Sequence, residues 1–336
     1  MRTEAKLEEW RSLYDIAIKL KELKPWEKLW DMDLITIIEP NKKEPIVCSI
    51  MGKGGECYAI AAYDGLDSIK GFFEMAYSSE MMPSNQLIRY QNNVMCNFGN
   101  RDELTTKERD IIKKLDLKFR GKNNWIYFRT FESGYAPYMP DRDEVLEFTK
   151  ILKHVYMAME ALNNGMDIDF QNGKTLMRKF NDENNQWVNS EESVIIPDMD
   201  YPVPILKDEV LINRLKKQKQ DNSILELDIA YLNSTINDKG YDKPIIPRLC
   251  MLVDERKGLI LSQNMVTPED DVVDVIFETV VNYIIQRGRP KNIVVRDAYM
   301  ASILIDLCEQ TGIEVIESSQ LHAIDEFIES FYQCRF

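Results

Sequence analysis

The 336-residue chain has only two histidines, His154 and His322, and its six cysteines form no C-x-x-C pair. A histidine-rich or zinc-type metal centre is thereby excluded, and any ion would be a hard one, Mg²⁺ or Mn²⁺, held by carboxylates. Cys48, Cys57, Cys96, Cys250, Cys308 and Cys334 are scattered, most of them among apolar neighbours. That pattern suits buried, reduced thiols better than a disulfide framework. Long apolar runs are also missing. The N-terminal segment carries Glu4, Glu8, Glu9 and Asp15 inside its apolar pattern, unlike a secretory signal. The stretch 272–285 is broken by Asp274, Glu278 and Asn282 and falls short of a membrane span. A soluble, cytoplasmic protein with no membrane partner is expected. Positive charge is in short supply too: 42 Lys and Arg stand against 56 Asp and Glu, a formal charge of −14. Such a balance opposes non-specific coating of nucleic acid, which relies on basic side chains replacing phosphate counterions. The one basic run, residues 214–219, reads as the solvated end of a linker helix.

What the chain does have is length and a regular order of elements. Its length is about twice that of a usual single domain, and 44% apolar residues can build a sizeable core. Helical spacing of Leu7, Trp10, Leu13, Tyr14 and Leu20 predicts an opening helix over 3–23, stopped at Lys24-Pro25. Strands follow at 34–39, 46–51 and 57–63, then a helix at 66–79, a strand at 93–98, a helix at 105–115, a strand at 125–130 and a helix at 141–163. Asn-Gly pairs and prolines make 166–222 read as an irregular linker between a domain at 1–165 and a second at 223–336.

The second domain repeats the order. Strands are expected at 224–232, 248–254 and 259–265, then a helix from Pro268 to Arg287 capped by Thr267, a strand at 292–296, a helix at 298–311, a strand at 313–317 and a helix at 319–333. Both halves thus spell β-β-β-α-β-α-β-α, and the fold class is α/β with mixed sheets. The N-terminal half is an α+β domain with a similar element order, which raises the idea of a diverged duplication.

Several stretches have both a chemical and a structural reading. The stretch 288–300, GRPKNIVVRDAYM, closes an apolar burst with Arg296 and Asp297. Asp297 is well suited to cap the helix that begins at Ala298, and the local sequence favours this over metal ligation. Asp228 shares a strand face with Glu226, opposite Leu225, Leu227, Ile229 and Tyr231. A strand buried on both faces would not tolerate two unpaired carboxylates, so either this strand exposes one face or the acids are paired or coordinate something, and exposure or pairing is the favoured reading. The turn MGKGGE at 51–56 joins two strands, so it reads as a hairpin rather than a phosphate loop. The aromatic group at 125–138 makes Tyr135 and Tyr138, with Arg129, the expected partner surface.

The order of elements from Asp228 onward, with the hairpin LVDERKGLILSQ, the segment QRGRPKNIVVRD and the strand GIEVIE, resembles the ribonuclease H-like fold, in particular integrase and transposase cores. That resemblance implies a first carboxylate at Asp228, a second at Asp297 and a third at Asp325 or Glu329, holding two Mg²⁺ or Mn²⁺ ions that would activate water and stabilise a leaving oxygen. The segment departs from such enzymes in running directly from Asp297 into a helix, and in its charge of 19 acidic against 10 basic residues from Glu226 on. The whole chain also resembles a family of uncharacterised two-domain bacterial proteins through WRSLY at 10–14, KPW at 24–26, MGKGGE, FRTF with GYAPY at 128–138, and the GRP-led C-terminal unit. The reading that follows is a non-catalytic interaction or regulatory protein with a degenerate ribonuclease H-like domain and a protein partner, without cofactor. A two-metal nuclease acting on nucleic acid and an acidic nucleic-acid mimic are the alternatives.

Overall fold

Helix α1 (Leu7–Leu23) buries Trp10, Leu13, Tyr14, Ile16, Ala17 and Leu20, the stripe its spacing implies. It stops where Lys24 turns left-handed, with φ 48°, and Pro25 follows without an N–H to continue the ladder. This is a computed structural model that describes residues 2–40, 42–78, 81–199, 201, 203–232, 234–237 and 242–333. The chain divides into two units. The first comprises Met1–Phe73, Gln91–Glu132 and Pro137–Pro197; the second comprises Glu74–Tyr90, Ser133–Ala136 and Asp198–Phe336.

In the first unit, strands β1 (Ile35–Ile38), β2 (Ile46–Met51) and β3 (Ala59–Asp64) form the expected meander. Helix α2 (Leu66–Ser78) follows, and then β4 (Asn93–Gly99), α3 (Thr106–Lys114), β5 (Trp125–Phe131) and α4 (Arg142–Asn163). Helix α4 starts at Asp141, whose carboxylate accepts from the Asp143 and Glu144 N–H groups while Glu144 returns a bond to the Asp141 N–H. Its Val145, Phe148, Leu152 and Val155 pack with α1 and the sheet in one core. Each fully buried Leu or Phe there contributes about 1.5–3 kcal/mol relative to exposure. The MGKGGE turn is the hairpin between β2 and β3, closed by Gly55 N–H to Gly52 O at 2.9 Å. Gly52 has φ 124°, and a Cβ there would stand 2.5 Å from Tyr58 Cδ1, so only glycine fits.

The stretch expected to be irregular holds a second hairpin, β6 (Lys174–Asn181) and β7 (Gln186–Ser193), and a short helix, α5 (Glu209–Lys216). Asp182 to Asn185 are its turn; the Asn-rich signal marked a connection between two strands too polar to stand out. The resulting seven-stranded order is β5-β4-β3-β2-β1-β6-β7, with only β1 and β6 parallel.

In the second unit, β8 (Ile224–Tyr231) lies at the centre of a five-stranded sheet with β9 (Arg248–Asp254), β10 (Leu259–Val266), β11 (Asn292–Val295) and β12 (Glu314–Glu317), in the order β10-β9-β8-β11-β12. The first three strands are antiparallel, while β8, β11 and β12 are parallel. Helices α6 (Val272–Arg287) and α7 (Ala298–Thr311) bury Ile276, Val280, Ile284, Leu304 and Leu307 with Leu225, Leu227, Ile229 and Tyr231. Helix α8 (His322–Gln333) packs on the other side, where Ile324 and Ile328 meet Ala230, Met251, Val253 and Val294. This mixed α/β arrangement, with three antiparallel strands, two further parallel strands and helices on both faces, is consistent with the resemblance to the ribonuclease H-like fold.

The shared element order of the halves does not extend to topology. In the first unit the fourth strand adds beside the third, whereas in the second it adds beside the first, so a duplication is not expressed in the sheets. Element order alone leaves strand order open. The cap of α6 is Asp271, accepting from Val273 N–H at 2.8 Å, rather than Thr267, whose own N–H and hydroxyl are bound by Asp270. Cys48, Cys96, Cys250 and Cys308 are buried free thiols, Cys57 is exposed, and Cys334 lies outside the described residues. Among the described residues no helix is long and apolar enough to cross a membrane.

Candidate functional site

Strand β8 is covered on both faces, so its two carboxylates need partners. Glu226 and Asp228 lie on the α8 side by the parity of the strand, and are 2% and 0% exposed. Glu226 accepts the Ile324 and Ala323 N–H groups at 2.9 and 3.2 Å, and so caps α8 from a neighbouring strand. Burial raises its pKa despite those bonds.

Asp228 is met from two directions. In the parallel register Val295 stands beside Leu227, so the next position sets Arg296 beside Asp228 on the same face. Arg296 Nε donates to Asp228 Oδ2 at 2.5 Å, and its Nη2 and Nη1 reach Asp325 of α8 at 2.6 and 3.3 Å. A further bond runs from Arg296 Nη1 to Ser319 O at 2.8 Å. From the other direction comes the one-turn helix Leu87–Tyr90. Arg89 donates from Nη1 to Asp228 Oδ1 and from Nη2 to Asp228 Oδ2, both at 3.0 Å, and its Nη1 also reaches Asp297 Oδ2 at 3.0 Å. The Tyr90 hydroxyl donates to the same Asp297 oxygen at 3.1 Å. Asp297 Oδ1 accepts from Met300 N–H at 2.9 Å, so Asp297 is both the cap of α7 and an ion-pair partner.

Strand length explains why Leu87–Tyr90 docks there. Strand β11 pairs with β8 only as far as Leu227, which leaves the β11-side edge of β8 open from Asp228 to Tyr231. The Gln86 side chain fills it: Nε2 donates to Tyr231 O at 3.2 Å and Oε1 accepts from Tyr231 N at 3.1 Å. Arg89 Nη2 adds a bond to Ile229 O at 3.2 Å. One amide and one guanidinium thus supply what a strand would have supplied.

Two guanidinium charges and three carboxylates therefore form a chain from Tyr90 through Asp297, Arg89, Asp228 and Arg296 to Asp325. Burial alone would raise the Asp228 pKa, but Arg89 and Arg296 beside it overcome this and hold it below the usual carboxylate range. Burial likewise opposes the charge of both arginines, and Asp228 outweighs it, so both pKa values are raised. The network is chemically a closed salt cluster that holds four pieces of chain together.

The carboxylates expected at Asp228, Asp297 and Asp325 do come together, whereas Glu329 is exposed one turn beyond Asp325 on α8. As folded, these residues do not fit a pair of divalent metals. Every oxygen of Asp228 and Asp325 accepts from a guanidinium, and Asp297 is shared between Arg89, Tyr90 and a helix N–H. Positive charge already lies where metal charge would be, and a divalent ion would have to displace a buried arginine. Sequence reasoning missed Arg89, Gln86 and Tyr90. Arg296 was discoverable, since strand parity puts it on the same face as Asp228.

Of the residues expected as a partner surface, Arg129 and Tyr138 belong to the first unit and Tyr135 to the second. Arg129 is ion-paired to Glu108 and bonds to Glu103 O at 3.2 Å. Tyr138 is 6% exposed, with its hydroxyl on Glu132 Oε2 at 2.8 Å. Tyr135 belongs to the second unit, in an antiparallel bridge with Ile245, and Lys243 lies 5.0 Å from its ring centroid. The loop aromatics that looked available in sequence are absorbed into packing.

Comparison with known proteins gives two family matches. Residues 10–178 match the family described as domain of unknown function DUF7309, and residues 211–332 match the one described as domain of unknown function DUF6930. No curated protein matches the chain. Among solved structures, a chain of the simian T-cell lymphotropic virus intasome in complex with PP2A regulatory subunit B56 gamma is similar at 17% identity and TM-score 0.24, over 36% of this chain and 43% of that one. A chain of the Mos1 strand transfer complex is similar at 8% identity and TM-score 0.18, over 70% and 72%. This chain thus spans less than half the length of the intasome chain it matches.

Proposed function

We propose, for a chain that belongs to the DUF7309 family, a non-catalytic interaction or regulatory role in which the ribonuclease H-like unit is a scaffold. The observation that carries this reading is the bidentate pairing of Arg89 with the fully buried Asp228. Where a nuclease of this fold needs carboxylate oxygens open to metal, Asp228 is committed to two guanidinium groups that are themselves buried, Arg296 fully and Arg89 nearly so. The cluster acts as a rigid tie, and recognition falls to the surface. An acidic surface favours protein partners that present basic patches, and disfavours a phosphate backbone.

The competing reading, a two-metal nuclease using Asp228, Asp297 and Asp325, draws on their convergence in one network and requires Arg89 to leave. Calorimetric titration of the full chain with Mn²⁺, alongside Asp228→Asn, separates the two. The scaffold reading expects no saturable binding at millimolar Mn²⁺ and no cleavage of single-stranded, duplex or hybrid substrates. Saturable binding that vanishes in Asp228→Asn, accompanied by metal-dependent cleavage, would overturn it.

A further inference from the structure

The first unit contains a cavity of about 300 Å³ at the end of its sheet where the β2–β3 turn, the end of β4 and the start of β5 converge. Its aromatic lining is Tyr58, Phe98 and Tyr127, with Trp26 packed at an angle against them, 5.1 Å from Tyr58 and 5.0 Å from Phe98 between ring centroids. Its charged lining is Glu56, Glu103 and Lys122, two negative against one positive. Glu103 is fixed in place: Tyr127 Oη donates to its Oε2 at 2.7 Å, and Asn100 donates to its Oε1 through Nδ2 at 2.8 Å and the backbone N–H at 3.1 Å. Burial works against the charge of Glu103, but these bonds outweigh it and lower its pKa, so it stays ionised. Asn97, also on the wall, has a buried Nδ2 with no hydrogen-bond partner.

Aromatic rings with excess negative charge repel phosphate and carboxylate and attract positive charge on a hydrocarbon body. The same wall already shows the preference, since the Arg129 guanidinium lies 4.9 Å from the Tyr127 ring centroid. From these features we infer that the cavity is a binding site for a small organic cation, an amine or quaternary ammonium compound held by Glu56 and the aromatic lining.

Cys57 provides the readout. It lines the cavity and is exposed, while Cys48, Cys96, Cys250 and Cys308 are buried. In a full chain carrying Cys334→Ser, maleimide labelling therefore reports on Cys57. Choline is the probe, and its neutral isostere 3,3-dimethylbutan-1-ol is the control that keeps shape and hydroxyl but removes charge. Choline should slow labelling saturably, with affinity about fivefold or more above that of the alcohol, the factor expected of one cation–π contact. Glu56→Gln, a change at an exposed residue, should reduce the preference for choline while leaving the part that the rings and Glu103 supply, and an unchanged preference would remove Glu56 from the site. Equal protection by the two compounds, or none from choline in the millimolar range, overturns the assignment. Protection by inorganic phosphate instead would reverse the charge inferred for the ligand.

Discussion

Arg89 and Asp228, 139 positions apart in the chain, face each other through two parallel N–H···O bonds of 3.0 Å each, with side chains 7% and 0% exposed. Planar guanidinium and planar carboxylate match in this geometry, which gives the pair direction as well as charge. Removing either member leaves the other buried with one counter-charge fewer, Asp228 keeping only Arg296 and Arg89 keeping only Asp297.

Asp228→Asn should destabilise the full chain by about 3–5 kcal/mol in urea unfolding, because Arg89 and Arg296 both lose their central anion. The pH dependence has a definite sign. The folded Asp228 pKa lies below the ordinary 3.8, so its contribution is complete above that value and is lost as pH falls through the lower folded value. Stability of the wild type should therefore drop more steeply than that of Asp228→Asn in this acid window. Parallel slopes for the two proteins would show that Asp228 is not held ionised by its arginines.

The coupling within the cluster can be read from a double-mutant cycle. Arg89→Met alone leaves Asp228 with Arg296 only and Asp297 without a cation, but in an Asp228→Leu background it removes a cation already deprived of its main partner. A coupling energy of roughly 1–3 kcal/mol is expected from the four unfolding curves. Strict additivity would mean the two side chains contribute independently.

His154 gives a second acid-sensitive site, in the first unit. Burial first, and then the Arg178 charge, push its pKa down to about 4, and Arg178 Nε donates to Nδ1 at 3.1 Å, leaving no room for a proton there. The unfolded chain takes up that proton nearer its ordinary 6.5. The contribution is complete above 6.5 and is lost as pH falls towards 4, a loss of about 1 kcal/mol once solvent screening of this partly exposed group is discounted. With two histidines in the chain, NMR titration resolves His154 directly. Arg178→Met should move its midpoint upward, and an unmoved midpoint would contradict the assigned bond.

Gly52→Ala tests the β2–β3 hairpin. With φ at 124° and Tyr58 Cδ1 only 2.5 Å from the added Cβ, the substitution should cost about 1–3 kcal/mol. Gly54→Ala, which meets nothing within 4 Å, is the control and should stay within about 0.5 kcal/mol of wild type.

Much of the fold could be read from local pattern. The stripe of α1, the β2–β3 hairpin and the run from β8 to α8 follow from apolar spacing and turn residues. Strands β6 and β7 escaped because Glu191, Glu192 and Ser193 give an edge strand little apolar signature. At the candidate site, the two acids Glu226 and Asp228 on one face of an apolar strand stood out in pattern, which left that face exposed, paired or coordinating; the structure buries and pairs it. The partner could not be found that way, because Arg89 sits in the short turn LIRY with no periodic signal, and its position depends on where β11 stops. Tyr138 misled for the opposite reason: a loop aromatic looks accessible until the carboxylate that receives its hydroxyl is known.

The docking of Gln86 on Tyr231 bears on modularity. A gene fragment that encodes residues 198–336 would contain every strand and helix of the ribonuclease H-like sheet, yet lack the amide and guanidinium that complete β8. Its product would carry an open strand edge beside a buried, half-neutralised carboxylate, two features that invite aggregation. Recombination at the obvious midpoint of the gene would cut the sequence between domains but cut the molecule through one.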